Sequence, residues 1–274
     1  VVYGISISAY DFNLRNNTVN VESDINYADG ISIGADSNGK VEGNNITVYA
    51  PESAYGIYAY EWKAMIENVI YQSNRISAAA YAACGMEIVN NAPAILENVI
   101  TVLGNHTAGI AVNSIEQCPI RFNTIYNLGS NVGTKPTRDG MIHMESIAIG
   151  IRGPADVIGN NITSTAVGIS YVDSDNEHAF TVSNNKIEVA AKGDVENYAI
   201  YISDANETQV VDNNITFIGR TNGTTISNAI YIYNTKALIK QNDFDLTIPA
   251  VDIIYGPDYQ ELLVPAKGIV LDDC

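Results

Sequence analysis

Four neighbouring residues after one strand-like segment have side chains that could bind a metal ion. Asp173, Asp175 and Glu177 offer carboxylate oxygens, and His178 follows them directly. Ca²⁺ takes about six to eight oxygen ligands, and acidic loops commonly supply them. We therefore predict these three carboxylates as a candidate Ca²⁺ site, and no other cofactor is expected. A solvated turn has the same composition, so that alternative stays open.

A second candidate site is the longest segment between two repeat units, which runs roughly from Gly129 to Glu145. It also contains Arg138, Asp139 and His143, so both signs of charge gather around a histidine there. Long loops on rigid scaffolds often carry binding residues, and we predict a contact site in this loop. Drift in a loop that tolerates insertions is the alternative.

Tyrosine is unusually frequent, with 17 residues against 5 Phe and 1 Trp. Several tyrosines fall at strand positions that are predicted to face outward, namely Tyr58, Tyr60, Tyr201, Tyr231 and Tyr233. Tyr201 and Tyr231 occupy the same place in two successive repeats, which predicts stacked rings. Tyr gives a large contact area at low entropic cost, so such a strip suits sugar rings or a protein partner. A simple preference of Tyr for exposed strand positions is the alternative.

Seven Asn-x-Ser/Thr sequons occur, which is the acceptor motif for N-glycosylation. The sequons that are predicted to lie in loops and to accept a glycan are Asn105, Asn206 and Asn222. Asn45, Asn161 and Asn214 are assigned instead to an inward-facing row of asparagines, where a glycan would not fit.

A repeat that runs along the whole chain places all of these residues. Its first half is a small residue followed by alternating apolar positions, as in Gly4-Ile5-Ser6-Ile7. This half recurs at residues 30–33, 56–59, 85–88, 109–112, 168–170, 199–202 and 229–232. Alternation with a period of two in segments rich in Ile, Val, Thr and Tyr predicts β-strands and no helix.

The second half of the repeat is an apolar pair, one or two polar residues, an Asn and another alternating run. The recurring asparagines are Asn17, Asn45, Asn68, Asn98, Asn123, Asn161, Asn185, Asn214 and Asn242. Their spacing varies from 23 to 38 residues while the motif keeps its phase. The strands are therefore constant, and the loops between them vary in length.

Strands that recur in the same chain direction cannot pair as hairpins, so they must stack in parallel, coil upon coil. The sequence predicts an all-β fold: a single-stranded right-handed parallel β-helix of about ten coils, forming one domain over residues 1–274. The isoleucines of successive repeats form aligned inward columns. An Asn amide at each turn can bond the identical amide of the next coil, which predicts an inward Asn ladder.

The charge balance restricts the possible partners. A net charge of -17 repels nucleic acid and anionic lipid. No apolar segment reaches the roughly 20 residues of a membrane-spanning helix, so direct insertion is not expected. The three cysteines are too few for a disulfide scaffold, and we predict that they are buried apolar residues.

The Gly-Ile-x-Ile motif and the Asn-Asn-Ile-Thr-Val motif (Asn44 to Val48) resemble the repeats of right-handed parallel β-helix proteins of the pectate-lyase-like superfold. The resemblance covers essentially the whole chain. In repeat style the chain is most similar to adhesin-like cell-surface proteins of methanogenic archaea. Enzymes of the superfold use clustered Asp with nearby His, and Asp272-Asp273 resembles such a pair. No later coil supplies the partners, so we predict no catalytic residue.

The leading hypothesis is therefore a non-catalytic, extracellular cell-surface module that is adhesin-like or structural. It would present a rigid β-face to a glycan or to another surface protein. A polysaccharide lyase or glycoside hydrolase is the second hypothesis, and a filament component that self-associates through uncapped ends is the third. Because the chain opens at Val1 within a repeat, we expect it to be a segment of a longer surface protein.

Overall fold

The protein forms a parallel β-helix, as seen in a computed structural model. The structure describes residues 1–9, 11–34, 38–59, 68–90, 93–130, 146–172, 178–192, 195–219, 227–247 and 267–274. All regular structure in these ranges is β-strand, which confirms the all-β prediction. Nowhere in these ranges is there a helix with the length and apolar character needed to cross a membrane.

The strands form three stacks that surround one core. Stack 1 contains the Gly-Ile-x-Ile segments: β1 (Val2–Ile7), β4 (Tyr27–Ile33), β7 (Ser53–Ala59), β14 (Ile147–Arg152), β17 (Val167–Val172), β20 (Asn197–Ser203), β23 (Ser227–Tyr233) and β26 (Lys267–Asp272). Stack 2 contains β2 (Asp11–Arg15), β5 (Asn38–Glu42), β8 (Val69–Gln72), β10 (Ala94–Leu96), β12 (Cys118–Arg121), β15 (Ala155–Ile158), β18 (Ala179–Ser183), β21 (Glu207–Val211) and β24 (Lys236–Lys240).

Stack 3 follows the recurring asparagines. It contains β3 (Thr18–Glu22), β6 (Asn45–Tyr49), β13 (Thr124–Gly129), β16 (Asn161–Ser164), β19 (Lys186–Ala190), β22 (Asn214–Ile218) and β25 (Asp243–Thr247). Two long strands, β9 (Arg75–Asn90) and β11 (Val99–Ser114), run through stack 3 and continue into stack 1. Stacks 1 and 3 are therefore joined as one 17-stranded sheet, while stack 2 is a separate 9-stranded sheet.

Each strand pairs in parallel with its counterpart one coil away, and equivalent repeat positions lie over one another. Ile31 pairs with Ile5 on one side and Ile57 on the other, and Ile200 pairs with Ile230. A complete coil needs a strand from each stack, and stack 2 supplies nine. The described chain therefore has fewer complete coils than the ten predicted.

The inward columns form the core that the repeat predicts. Ile31, Ile57, Ile110, Ile200 and Ile230 are all fully buried, and Ile5 is partly buried at the first coil. The small residue before each of these positions makes a close approach possible. A Cβ at Gly30 would lie 2.6 Å from the carbonyl oxygen of Gly56 and 2.5 Å from Cγ2 of Ile46. The first half of the repeat thus combines a tight corner with an apolar column.

An Asn ladder connects stack 2 to stack 3 through the interior. Its members are Asn17, Asn44, Asn74, Asn98, Asn123, Asn160, Asn185, Asn213 and Asn242. The side-chain amide and the backbone N–H of each Asn both donate to Oδ1 of the next Asn, as between Asn98 and Asn123 at 3.0 and 2.9 Å. The second amide hydrogen donates to a carbonyl of the preceding coil, which for Asn98 is Tyr71 at 2.9 Å. Each interior amide therefore has its polar groups satisfied without water.

Four predicted ladder positions are wrong. Asn44, Asn74, Asn160 and Asn213 take the places predicted for Asn45, Asn68, Asn161 and Asn214, all four of which are exposed. Asn68 stands directly before the stack 2 strand β8 and not before a stack 3 segment, and strand alternation explains the other three. A ladder Asn lies two residues before an inward aliphatic residue, as Asn98 does before Ile100, so Asn44 belongs with Ile46 and the intervening Asn45 faces outward.

A left-handed residue precedes every ladder Asn. These residues, with φ between 53° and 67°, are Asn16, Gly43, Ser73, Glu97, Phe122, Gly159, Asn184, Asp212 and Gln241. A single residue in this conformation interrupts the regular alternation of side chains that a strand has. It therefore turns the chain from stack 2 into stack 3 and directs the next side chain into the core.

Candidate binding surface

The outer face of stack 1 contains a pair of stacked tyrosines. Tyr201 and Tyr231 are register partners in β20 and β23, and their ring centroids lie 5.6 Å apart with planes 5° from parallel. This is the alignment that the repeat predicts for the two residues. Both rings are partly exposed, so the stack is accessible at the surface.

Tyr198 forms the base of this cluster, which we call the tyrosine cluster (Tyr198, Tyr201 and Tyr231). Its ring lies 5.2 Å from that of Tyr201 and 5.9 Å from that of Tyr231, tilted by about the same angle to each. The residue is buried against Ile147 and Val167. Sequence reasoning missed Tyr198, although its position directly before the small corner residue Ala199 gives it an outward direction.

Carboxylates lie around the tyrosine cluster and accept hydrogen bonds from two of its three phenols. The Tyr198 hydroxyl donates to Glu196 at 2.9 Å, and the Tyr231 hydroxyl donates to Asp272 at 3.2 Å. Asp204 is bonded to Ser203 and to the Asn234 amide. The rim of the cluster therefore presents acceptor oxygens, and Asp272, which resembled one member of a catalytic pair in the sequence, is engaged with a phenol.

Burial and these carboxylates both stabilise the neutral phenols. Burial raises the pKa of Tyr198 strongly, and the charge of Glu196 adds to the effect. The pKa of Tyr201 is raised mainly by burial. For Tyr231, burial and then the hydrogen bond to Asp272 raise the pKa. All three rings are thus neutral donors at ordinary pH.

Tyr58 and Tyr233 do not extend the cluster into one continuous strip. Tyr58 lies in the same outward column, but Glu87, Ala111, Gly150 and Ser170 separate it from Tyr201. This is five coil steps, or about 24 Å at roughly 4.8 Å per step. Tyr58 packs instead against Tyr55, with ring centroids 5.1 Å apart. Tyr233 is exposed at the end of β23, beside the cluster.

Two buried carboxylates on the face of stack 1 were not predicted. Asp29 is fully buried, and Glu87 is nearly so. Both occupy outward positions, Asp29 beside Tyr55 and Glu87 beside Tyr58. The sequence indicates both positions, because each charged residue stands where the neighbouring coils have Tyr or Ala. The repeat alone does not reveal that these positions are covered.

Several predicted site residues lie outside the described residues. They are Tyr60, Arg138, Asp139, His143, Glu145, Asp173, Asp175, Glu177 and Asn222. Within the described ranges, no three His, Cys, Asp or Glu side chains are grouped closely enough to hold a metal ion. The Ca²⁺ site and the charged loop therefore stay predictions.

Four of the sequons are placed differently from their prediction, while Asn206 lies in a connection between strands as expected. Asn105 lies inside strand β11 rather than in a loop, whereas Asn206 is exposed between β20 and β21. Asn45, Asn161 and Asn214 are at the exposed first positions of β6, β16 and β22. The prediction that these three belong to the interior is thus wrong, because each follows the ladder Asn by one residue.

Two cysteines behave as predicted and one does not. Cys84 and Cys118 are buried free thiols, whereas Cys274 is exposed. Burial strongly raises the pKa of the Cys118 thiol, and the charge of Asp156 raises it further. The buried pair therefore contributes packing rather than reactive chemistry.

Comparison with known proteins identifies no relative. No protein-family model matches the chain, and neither a curated protein nor a solved structure shows significant similarity to it. The parallel β-helix architecture therefore rests on the strand pairing itself.

Proposed function

We propose that the chain is a non-catalytic binding module of a cell-surface protein, with the tyrosine cluster as its contact site. The observation that supports this most directly is the parallel Tyr201–Tyr231 pair on a partly exposed, rigid strand face. Exposed aromatic rings on a rigid scaffold provide contact area with little loss of side-chain entropy. An adhesin-like role at the outside of the cell agrees with the repeat style of the sequence.

The chemistry of the cluster suits a glycan or a surface protein. The C–H faces of a sugar can pack on the phenol rings, while its hydroxyls donate to the rim carboxylates Glu196 and Asp272. A net charge of -17 disfavours acidic polysaccharides and favours neutral or amino sugars. A protein partner would use the same rings for apolar or cationic side chains.

A binding comparison tests this proposal. The protein is offered to an array of neutral, amino and acidic oligosaccharides, and protein-coated beads are offered to cells. We expect the double variant Tyr201→Ala/Tyr231→Ala to lose at least about tenfold in affinity or adhesion, corresponding to roughly 1.4 kcal/mol. The matched control is Tyr126→Ala, since Tyr126 is an exposed tyrosine on stack 3. Equal binding by the double variant and the control would overturn the proposal.

A polysaccharide-cleaving enzyme is the second candidate, and the buried carboxylates Asp29 and Glu87 favour it. Carboxyl side chains are the groups that act as general acid and base in most polysaccharide-cleaving enzymes. The pectate-lyase-like superfold would supply the precedent. Release of reducing or unsaturated ends from neutral and acidic polysaccharides, abolished by Asp29→Asn or Glu87→Gln, would support it. Absence of activity in the wild-type protein across those substrates would exclude this candidate.

Self-association through the ends is the third candidate. Ile269 and Leu271 in β26 are exposed, although their register partners Ile230 and Ile232 are fully buried. A further coil, from another copy, would cover them and pair with the edge of β26. Sedimentation velocity should then show concentration-dependent oligomers that disappear in Leu271→Lys. A monomer at all concentrations would contradict this reading.

A further inference from the structure

The outer face of stack 3 displays three copies of one tripeptide with the same geometry. In Asn45-Ile46-Thr47, Asn161-Ile162-Thr163 and Asn214-Ile215-Thr216, the Asn is exposed and the Ile is buried. The Thr returns to the outer face and is not buried in any of the three. Each tripeptide is thus an N-glycosylation sequon whose amide and hydroxyl both lie on the accessible side of a strand.

The second feature that the three sequons share concerns the hydrogen bonds of their amides. The side chains of Asn45, Asn161 and Asn214 make no hydrogen bond within the described ranges. Their chain neighbours Asn44, Asn160 and Asn213 use their amides in the ladder. In each Asn-Asn pair, therefore, the first residue holds the fold together, while the second is available for chemistry.

Two other sequons lack this freedom. In the sequon of Asn105, Thr107 is buried and its hydroxyl bonds to Ser146 at 3.0 Å, and Oδ1 of Asn105 accepts a bond from Ser130. In the sequon of Asn206, the Thr208 hydroxyl is buried and donates to the carbonyl of Phe180 at 3.0 Å.

The sequon of Asn16 differs in another way. Asn16 occupies the left-handed turn, and its Oδ1 lies over Gly43 in the next coil, 2.6 Å from where a Cβ would stand. Among the sequons within the described residues, the three of stack 3 alone therefore combine an extended strand, an unbonded amide and a hydroxyl that is not buried.

We propose that Asn45, Asn161 and Asn214 are acceptor sites for N-linked glycans. A bond forms between Nδ2 of the Asn and the anomeric carbon of a lipid-pyrophosphate-linked glycan. The bond from that carbon to the phosphate oxygen breaks, the lipid pyrophosphate leaves, and Nδ2 loses one proton. The folded strand accommodates the product because the amide already faces solvent.

The arrangement of the acceptors has a spatial consequence. Asn161 and Asn214 lie in one column, with Lys186 between them, so their Cα atoms are about 10 Å apart at roughly 4.8 Å per coil. Asn45 belongs to the same column, four coil steps from Asn161. Glycans at these positions would cover the face of stack 3, where Tyr49, Leu103 and Leu128 are exposed. The inference does not depend on the proposed binding function of stack 1.

Site-resolved mass spectrometry tests the proposal. The full chain is secreted from a host that performs N-glycosylation, with one additional sequon on a flexible C-terminal tag as an internal control. Only the folded, monodisperse fraction is digested and analysed. We expect glycans on Asn45, Asn161 and Asn214 in most molecules of this fraction. A glycosylated tag together with three unmodified stack 3 sequons would overturn the proposal.

Matched variants separate modification from folding. Thr47→Ser keeps the sequon and should retain the glycan at Asn45, whereas Thr47→Ala should lose it while the glycans at Asn161 and Asn214 stay. Both substitutions are at an exposed strand position, so both variants should fold. Glycosylated chains that occur only in the aggregated fraction would contradict the proposal, because they would show that the folded strand does not tolerate the glycan.

Discussion

Oδ1 of Asn185 accepts two hydrogen bonds from Asn160, one from its side-chain amide at 3.0 Å and one from its backbone N–H at 2.9 Å. The same double contact recurs at each step of the ladder between stack 2 and stack 3. A substitution at one ladder position therefore leaves unsatisfied groups in two neighbouring coils, since the lost side chain both donates and accepts.

Adjacent asparagines provide a direct test of the ladder. We expect Asn160→Ala to lower the free energy of unfolding by about 2–4 kcal/mol, since it removes buried bonds to both neighbours. Asn161→Ala, one residue away and exposed, should change it by less than about 0.5 kcal/mol. Urea unfolding followed by circular dichroism measures both. Equal effects would show that the ladder does not stabilise the fold.

Phe180 is expected to be among the most costly core positions. It is buried and stacks on Tyr171, with ring centroids 4.2 Å apart and planes 17° from parallel. Phe180→Ala should destabilise the protein by about 3–5 kcal/mol through lost burial and the cavity that remains. Leu238→Ala serves as the control because Leu238 is half exposed. A thermal shift no larger than that of the control would contradict this packing.

Thiol reactivity should separate the three cysteines. Cys274 is exposed, whereas Cys84 and Cys118 are buried and the pKa of Cys118 is raised. Under native conditions at pH 8 we expect iodoacetamide to alkylate Cys274, and the other two only after denaturation, because the thiolate is the reactive form. Peptide mass spectrometry over time measures the rates. Labelling of Cys118 as fast as Cys274 would mean that stack 2 opens readily.

The tyrosine cluster should make stability fall at alkaline pH. The pKa values of Tyr198, Tyr201 and Tyr231 are raised in the folded protein. Their contribution to stability is therefore complete below the unfolded value of about 10 and declines as the pH rises above it towards the folded values. Urea midpoints between pH 8 and 11 measure this decline. It should be smaller in Tyr198→Phe, and an equal decline in that variant would contradict the prediction.

The sequence predicts the parts of this fold that depend on the repeat. Residues in the same phase, such as Ile31 and Ile57 or Tyr201 and Tyr231, are brought together by stacking, so their pairing follows from alignment of the repeats. Three of the four misplaced ladder positions fall where two asparagines are adjacent, as at Asn44 and Asn45. The spacing to the next inward Ile would have resolved the choice, because only Asn44 shares the parity of Ile46.

The burial of individual outward residues was not predictable from the repeat. Tyr198, Asp29 and Glu87 occupy outward positions, yet they are buried. Alternation assigns a residue to one face of a strand and carries no information about how much of that face is covered. The number of complete coils was overestimated, since stack 2 supplies nine strands in the described residues.

The equivalence of the ladder steps makes the length of this protein an adjustable quantity. Asn98 and Asn123 are 25 residues apart and present the same groups to their neighbours. Excision of the residues from 99 to 123 would bring Asn98 opposite Asn160 with every donor and acceptor matched. Duplication or loss of one such unit in a gene would lengthen or shorten the molecule by one layer, without the need to redesign a core.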